Sequence, residues 1–374
     1  MDLQTTRTFL RSYCTHYPQA QLQDLFKALH QSACGCEHLV ADPSAAADYL
    51  RQEAAQCIPW PGPAVEPLPG AYCRVHLDCL RQGLQPQTLA RLFALSAVEE
   101  PEGPADLAAA LSVLRELAAA GEIPFSAQEV ERAAEQWRSA GYPARHHSEA
   151  FRAAYAPAYR VVRKRYAQFL PLLIRLDQLQ TRKPRVLLAL EGGSASGKTT
   201  LARLLEEVYG APVFHMDDFF LRPEQRTPER FAEAGGNVDR ERFLSQVLLP
   251  LSRGEPVAYR RFDCSTFTLL PPRTILPGPL NIVEGTYSLH PDLSAYYDLR
   301  VLLETSAQLQ RRRIQKRNPP ALAQRFFTEW IPLELRYFDA LGIPEQCDLI
   351  FTADDTAEEH YTLRKDRSAG PEPV

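Results

Sequence analysis

The fold of this chain is indicated most clearly by the stretch Arg185-Val186-Leu187-Leu188-Ala189-Leu190-Glu191-Gly192-Gly193-Ser194-Ala195-Ser196-Gly197-Lys198-Thr199. Its first part is a short apolar run, as expected of a strand that is buried on both faces. Its second part, from Gly192 to Thr199, matches the pattern G-x-x-x-x-G-K-[ST] in full. A helix is predicted to follow from Thr200 to Val208. A strand, a glycine-rich turn and a helix in this order are the context of a phosphate-binding loop.

A loop of this composition holds phosphate groups through its backbone. Glycines allow amide N–H groups to converge on phosphate oxygens, and the following helix adds the positive end of its dipole. Lys198 is expected to reach the β- and γ-phosphates, and the Thr199 hydroxyl to bind Mg²⁺. We therefore predict ATP and Mg²⁺ as cofactors, with a nucleotide site formed by Gly192, Gly193, Ser194, Ala195, Ser196, Gly197, Lys198, Thr199 and Thr200.

The rest of the second half alternates apolar runs with helical segments, which is typical of a parallel sheet flanked by helices. The apolar runs cover 213–216, 280–283, 299–303 and 348–351. The pattern changes near residue 180, where we place a domain boundary. The predicted organisation is a mainly helical domain over 1–180, an α/β P-loop domain over 181–360 and a polar tail over 361–374.

The first half reveals less about function. Apolar residues recur there at helix spacing, as at Leu22, Leu25, Phe26 and Leu29. We predict an irregular loop over 59–69 and helix after Pro157 in the segment 155–180.

Two polar patterns in this half leave alternatives open. One is a set of Cys and His residues that is either a metal site or a group of buried structural thiols; its spacing is off the zinc pattern, which favours thiols. Its members are Cys34, Cys36, His38, Cys73, His76 and Cys79. The other is the polar and aromatic segment 146–163, which is either a second site or a domain interface.

Composition excludes several classes of protein. The chain has 374 residues and a formal net charge of −4. This mild acidity argues against a protein that coats nucleic acid or an anionic membrane, so neither is an expected partner. The chain shows neither a signal-peptide pattern nor an apolar run of the roughly 20 residues that span a bilayer. We expect a cytoplasmic protein whose eight cysteines are reduced thiols, and the composition leaves a homo-oligomer open.

Five motifs in the second half resemble, in order, those of the uridine kinase and phosphoribulokinase group of small-molecule kinases. The first is the loop 192–200, and the resemblance covers about 185–352. The other four are His215-Met216-Asp217-Asp218-Phe219-Phe220, Asn237-Val238-Asp239, Val283-Glu284-Gly285 and Arg313-Ile314-Gln315-Lys316-Arg317-Asn318. The resemblance implies a P-loop kinase fold and transfer of phosphate from ATP to the 5′-hydroxyl of a nucleoside, uridine or cytidine. Pantothenate or a sugar phosphate is the alternative acceptor, and a nucleotide-dependent regulatory module is the alternative class of protein.

The resemblance also assigns roles around the phosphates. Asp217 would be the base for the acceptor hydroxyl and could also contact the metal, with Asp218 as the competitor, and either acid is alternatively a turn cap. Glu284 would hold Mg²⁺ together with Thr199, or else serve as a helix cap or in an ion pair. Arg313 and Arg317 lie four residues apart and share one helix face, so they would close over the phosphates as a lid unless they form a solvated basic face.

Candidate acceptor-binding residues are Asp217, Asp239, Tyr259 and Phe262. Asp239 would accept hydrogen bonds from ribose hydroxyls or cap a turn. Tyr259 and Phe262 would pack against a base or lie in the core. The stretch Tyr259-Arg260-Arg261-Phe262-Asp263-Cys264 departs from the uridine kinase pattern because it lacks the histidine expected nearby.

Overall fold

The computed structural model describes residues 2–35, 43–98, 104–355 and 360–367. These residues divide into two compact units, Met1–Ile174 and Arg175–Val374. The boundary proposed near residue 180 falls at the end of the helix that contains this division, Leu170–Gln180.

The first unit is mainly helical, as predicted. Its helices are α1 Leu3–His16, α2 Leu22–Cys34, α3 Pro43–Gln56, α4 Asp78–Arg81, α5 Pro86–Val98, α6 Pro104–Ala119, α7 Ala127–Ser139, α8 Glu149–Tyr155 and α9 Lys164–Ala167, followed by α10 Leu170–Gln180 across the division. Leu25, Phe26 and Leu29 of α2 are buried in one cluster with Leu111 and Leu114 of α6. The helix-spaced apolar residues therefore form the core of this unit.

A small antiparallel sheet in the first unit was not predicted. Its strands are β1 Val65–Pro67, β2 Tyr72–His76 and β3 Tyr159–Arg163, with β2 in the middle. The prediction of helix after Pro157 is therefore wrong at 159–163, and the loop predicted over 59–69 contains β1. The segment Tyr159–Arg163 is rich in β-branched and aromatic residues, which fit a pleated surface once β2 lies beside it.

The second unit is organised around a sheet that carries the phosphate-binding loop. Its strands are β4 Val186–Gly192, β5 Val213–His215, β6 Val257–Tyr259, β7 Phe262–Asp263, β8 Thr268–Leu269, β9 Arg273–Ile275, β10 Leu280–Glu284, β11 Leu299–Glu304, β12 Leu349–Ala353 and β13 Tyr361–Asp366. Six of them form one sheet in the order β13-β12-β11-β4-β10-β5. The strands β5, β10, β4, β11 and β12 are parallel, and every residue of β4 is buried. The predicted parallel α/β fold is thus confirmed.

Helices connect these strands. They are α11 Lys198–Tyr209, α12 Pro228–Ala232, α13 Arg240–Phe243, α14 Leu249–Arg253, α15 Pro291–Ser294, α16 Ala307–Arg317, α17 Pro320–Arg325, α18 Ile331–Leu341 and α19 Ile343–Gln346, with 3₁₀ turns at Met216–Phe219 and Pro223–Gln225 and π turns at Leu244–Leu248 and Phe326–Trp330. The carboxyl ends of β4, β5 and β10 lie side by side at the same end of the sheet, because Glu284 pairs in register with both Leu190 and His215.

The predicted polar tail is wrong over 361–366. These residues form β13, which pairs antiparallel with β12 at the edge of the sheet. An edge strand has one unpaired backbone edge, where charged side chains such as Lys365 are common because they prevent pairing with another chain, while Tyr361 at its start is buried. Residues 368–374 of the predicted tail lie outside the described residues.

The remaining first-half expectations have mixed outcomes. Cys73 and Cys79 are buried thiols, whereas Cys36 and His38 lie outside the described residues. No group of three or more potential metal ligands occurs in the described part of the chain. None of the described helices combines the length and hydropathy needed to cross a membrane.

Candidate functional site

The phosphate-binding loop joins β4 to α11 and requires glycine at two positions. Gly192 has a φ of +149° and Gly197 a φ of +99°. A Cβ atom would also collide with the carbonyl oxygen of Leu303 at the first position and with the Tyr361 hydroxyl at the second. Helix α11 then begins at Lys198, and none of the described side chains caps it. The N–H groups of its first turn therefore lack helical acceptors and suit an anion.

Lys198 lies folded over this loop. Its ammonium group donates hydrogen bonds to the carbonyl oxygens of Gly192, at 2.7 Å, and Gly193, at 2.9 Å. Ser196 is buried, and its hydroxyl makes no hydrogen bond with the described residues. Phosphate oxygens would accept hydrogen bonds from the Lys198 ammonium group and from the buried Ser196 hydroxyl. The residues present therefore fit a nucleotide phosphate.

The two predicted metal ligands are close together. Thr199 Oγ1 lies 3.3 Å from Glu284 Oε1, and His215 Nδ1 lies 2.6 Å from the same carboxylate oxygen. Burial raises the pKa of Glu284, but the hydrogen bond with His215 and the charge of Lys198 outweigh burial, so this pKa is lowered. An ionised carboxylate and a hydroxyl are oxygen ligands of the kind that Mg²⁺ takes alongside phosphate oxygens and water. The donor set therefore fits Mg²⁺, and His215, which begins the second motif but received no role from it, contacts the same carboxylate.

The two adjacent acids after β5 have different surroundings. Asp218 is buried, accepts a hydrogen bond from the Tyr259 hydroxyl at 2.9 Å and forms ion pairs with Arg261 and Arg273 at 3.1 and 2.8 Å. Asp217 is exposed and makes neither a hydrogen bond nor an ion pair with the described residues. The protein around Asp217 nevertheless raises its pKa by desolvation, which the charge of Lys198 opposes. The carboxylate of Asp218 is thus engaged with three side chains, whereas that of Asp217 is exposed and makes no such contact with the described residues.

Two further acids bind the loop and were missed by the sequence analysis. Glu191 is fully buried and accepts hydrogen bonds from the N–H groups of Gly192 and Leu289 and from the Tyr337 hydroxyl, at 2.9, 3.0 and 2.9 Å. Burial raises the pKa of Glu191 to about 7, against the opposing effect of these donors. Glu334 of α18 accepts from the backbone N–H of Ser194 at 2.8 Å and from its hydroxyl.

The sequence contains a local indication of the role of Glu191 but none for Glu334. Glu191 interrupts an apolar strand directly before the loop, and a charged residue at such a position indicates a buried polar network. Glu334 lies 140 residues from the loop residue that it contacts, so no local pattern identifies it.

The two predicted lid arginines make different contacts in the structure. Arg313 donates to the carbonyl oxygen of Ala195 at 3.1 Å and to the Tyr361 hydroxyl at 3.0 Å. Arg317 is exposed, and its guanidinium lies 5.6 Å from the centre of the Phe326 ring. Only Arg313 of the pair therefore contacts the phosphate-binding loop.

The predicted acceptor-binding residues other than Asp217 are buried and contact other residues of the protein. Asp239 is buried, caps α13 and accepts from the Arg242 side chain at 3.1 Å. Tyr259 is 1% exposed and lies in the core, and Phe262 is also buried. For Asp239 and Tyr259 the structure favours the capping and core alternatives.

Comparisons with known proteins show what this chain resembles. No family model matches it. One similar solved structure is a possible uridine kinase from Bacillus stearothermophilus, with 22% identity, a TM-score of 0.36 and coverage of 48% of this chain and 98% of that one. Another is phosphoribulokinase from Rhodobacter spheroides, with 13% identity, a TM-score of 0.37 and coverage of 50% and 82%.

A third similar structure is shikimate kinase from Bacteroides thetaiotaomicron. It has 17% identity, a TM-score of 0.25 and coverage of 46% of this chain and 92% of that one. The chain is thus similar to P-loop kinases over about half of its length.

Proposed function

We propose that this protein transfers the terminal phosphoryl group of ATP to a hydroxyl group of a small molecule. The observation that carries the proposal is the contrast between the two acids that follow β5. Asp217 is exposed and makes neither a hydrogen bond nor an ion pair with the described residues. It follows β5 at the end of the sheet where the phosphate-binding loop also lies. This is where a base for an acceptor hydroxyl is needed.

We assign a task to each group at this end of the sheet. Lys198 and the first turn of α11 hold the phosphates, and Arg313 supports the loop from α16. Thr199 and Glu284 would hold Mg²⁺, which when bound neutralises charge on the phosphates. Asp217 accepts the proton of the attacking hydroxyl, and its raised pKa brings it closer to the operating pH.

The acceptor has two candidate classes, each supported by a different observation. A nucleoside, uridine or cytidine, is supported by the order of the motifs. An acceptor with an anionic group, such as a sugar phosphate, is supported by two arginines that pair with Asp218, the residue next to Asp217. Arg261 and Arg273 share the carboxylate of Asp218, and their side chains remain 52% and 37% exposed. Because two cations face one carboxylate, the geometry favours the anionic acceptor.

The test is an acceptor screen with the full-length protein, ATP and Mg²⁺. Uridine, cytidine, pantothenate, ribose 5-phosphate and ribulose 5-phosphate are offered separately, and ADP and the phosphorylated product are measured. Asp217→Asn should lower kcat by about a hundredfold or more while ATP still binds. Asp339→Asn is the matched control, because Asp339 is an exposed acid of α18 outside the site.

The outcomes separate the alternatives. Product from a nucleoside alone would favour the motif-based acceptor, and product from a sugar phosphate alone the anionic one. ATP binding without transfer to any acceptor would contradict the kinase proposal and support a nucleotide-dependent regulatory module. Undiminished turnover in Asp217→Asn would remove Asp217 from the role of base.

A further inference from the structure

Tyr287 has a backbone conformation that tyrosine rarely adopts. Its φ is +81°, and a positive φ is strained for a bulky side chain. Such strain persists only where the surrounding structure enforces it, and it is concentrated at active sites and ligand clamps. Tyr287 follows the motif Val283-Glu284-Gly285, but the motifs gave it no role.

The buried carboxylate of Glu191 holds this strained backbone in place. It accepts hydrogen bonds from the N–H groups of Tyr287, at 3.2 Å, and Leu289, at 3.0 Å. The preceding residue is also fixed, because the Thr286 hydroxyl donates to the carbonyl oxygen of Gly192 at 2.8 Å. The phosphate-binding loop and the acid directly before it therefore enforce the positive φ.

The side chain of Tyr287 is held as firmly as its backbone. It is buried, and its ring packs edge-on against the Tyr337 ring with 4.9 Å between the ring centres. Gly235 packs against the same ring, because a Cβ atom at Gly235 would lie 3.1 Å from Tyr337 Cδ2. Tyr287 and the segment that leads to Asn237 therefore meet at Tyr337.

Asp217 lies beside both of these segments. A Cβ atom at Gly285 would lie 2.6 Å from Met216 Cβ, so the loop after β10 packs directly on the turn that carries Asp217. The same turn leads into Phe220, which pairs with Val238 in an isolated bridge. The three segments are therefore neighbours at the end of the sheet where we place phosphoryl transfer.

The Tyr287 hydroxyl interacts with groups of all three segments. Burial raises the pKa of this hydroxyl, and the charge of Glu334 adds to the rise, whereas a hydrogen bond with the Asn237 side chain opposes it. The negative charge of Asp217 also raises this pKa, as expected from the packing of the two loops. The hydroxyl therefore remains protonated at neutral pH and is able to donate a hydrogen bond.

We propose that Tyr287 and Asn237 bind a second hydroxyl group of the acceptor and so hold its attacking hydroxyl against Asp217. A phenol and an amide together donate and accept hydrogen bonds, which matches a hydroxyl group, and neither of them carries a charge. This role rests on the proposed function, and it implies that the acceptor carries at least two hydroxyl groups. Asp239, which the motifs suggested for such hydroxyls, is engaged by Arg242.

Steady-state kinetics of the full-length protein test this pair. The acceptor is whichever of uridine, cytidine, pantothenate, ribose 5-phosphate and ribulose 5-phosphate is phosphorylated. Tyr287→Phe removes the hydroxyl and keeps the ring, so it should raise the KM for the acceptor about tenfold and change the KM for ATP less than about twofold. Asn237→Ser should raise the KM for the acceptor in the same direction.

Tyr297→Phe is the matched control for this substitution. Tyr297 is a buried tyrosine of the same unit, and its hydroxyl has no hydrogen-bond partner among the described residues. Its loss should leave the KM for the acceptor unchanged.

A second comparison separates the binding of a hydroxyl group from a merely structural effect. Uridine is compared with 2′-deoxyuridine and 3′-deoxyuridine, and ribose 5-phosphate with 2-deoxyribose 5-phosphate. Where the hydroxylated member is an acceptor, the wild type should prefer it to a deoxy analogue by about tenfold or more in kcat/KM, and Tyr287→Phe should reduce this preference to about twofold. Damage to packing would lower the activity toward both members alike.

Equal KM values for the acceptor in Tyr287→Phe and Tyr297→Phe would overturn the proposal. Retention of the full preference over the deoxy analogues in Tyr287→Phe would also overturn it, as would equal rises in the KM values for acceptor and ATP. If ATP binds and none of the five acceptors is phosphorylated, the proposed function itself fails, and the role of Tyr287 fails with it.

Discussion

Replacement of Glu191 by Gln should abolish a pH dependence of stability that originates in this buried carboxyl group. Glu191 is fully buried beneath the phosphate-binding loop, and burial raises its pKa from an ordinary 4.5 to about 7. Between these values the folded protein keeps a proton that the unfolded chain releases. The stability that Glu191 contributes is therefore greatest below pH 4.5 and is lost as the pH rises through 7.

The size of the effect follows from this difference in pKa. Proton linkage predicts that the free energy of unfolding falls by about 2.5 kcal/mol between pH 5 and pH 8 because of this one group. Gln carries no charge at either pH. Its amide also turns a donor toward the N–H group of Leu289, which costs about 1–3 kcal/mol at both pH values. This constant cost does not change the slope.

Urea denaturation followed by circular dichroism at pH 5 and pH 8 measures the difference. The stability of Glu191→Gln relative to the wild type should rise by about 2.5 kcal/mol from the lower to the higher pH. Glu206→Gln is the control, because Glu206 is an exposed glutamate of α11 and should leave the difference nearly constant. If Glu191→Gln and the wild type lose stability in parallel between the two pH values, the argument from burial is refuted.

Further predictions concern the residues around the phosphate-binding loop. Asp218→Asn should lower the free energy of unfolding by about 1 kcal/mol, and with it the melting temperature, because it weakens two ion pairs and a hydrogen bond. Asp217→Asn should leave the melting temperature unchanged, and equal shifts in the two variants would contradict this contrast. The hydrogen bond to Glu284 raises the pKa of His215 above its ordinary 6.5, so the pair weakens as the pH rises through that raised value. Calorimetry should then find that Mg²⁺–ATP binds more tightly at pH 8 than at pH 6, and His215→Gln should reduce this dependence; a steeper dependence in the variant would refute it. Tyr361→Phe removes a 2.6 Å hydrogen bond to the loop and should raise the KM for ATP by about threefold to tenfold in steady-state kinetics, with an unchanged KM as the contrary result.

Much of the second unit could be predicted because its signals are local in the sequence. The continuous apolar runs correspond to buried parallel strands, and the glycines and Lys198 stand between such a strand and a helix. Strand β13 and the small sheet of the first unit escaped prediction because pairing partners, rather than the segments' own composition, make them strands.

The sequence by itself determined that this protein has a phosphate-binding loop, since glycine φ angles and a helix N-terminus depend on consecutive residues. Only the tertiary structure decided the different surroundings of the two adjacent acids, because the arginines that pair with Asp218 come from distant segments. It also buried Asp239 and Tyr259, and it brought Glu334 to the loop across 140 residues. Burial and charge pairing depend on all of the neighbours in space, and a linear pattern of residues does not specify those neighbours.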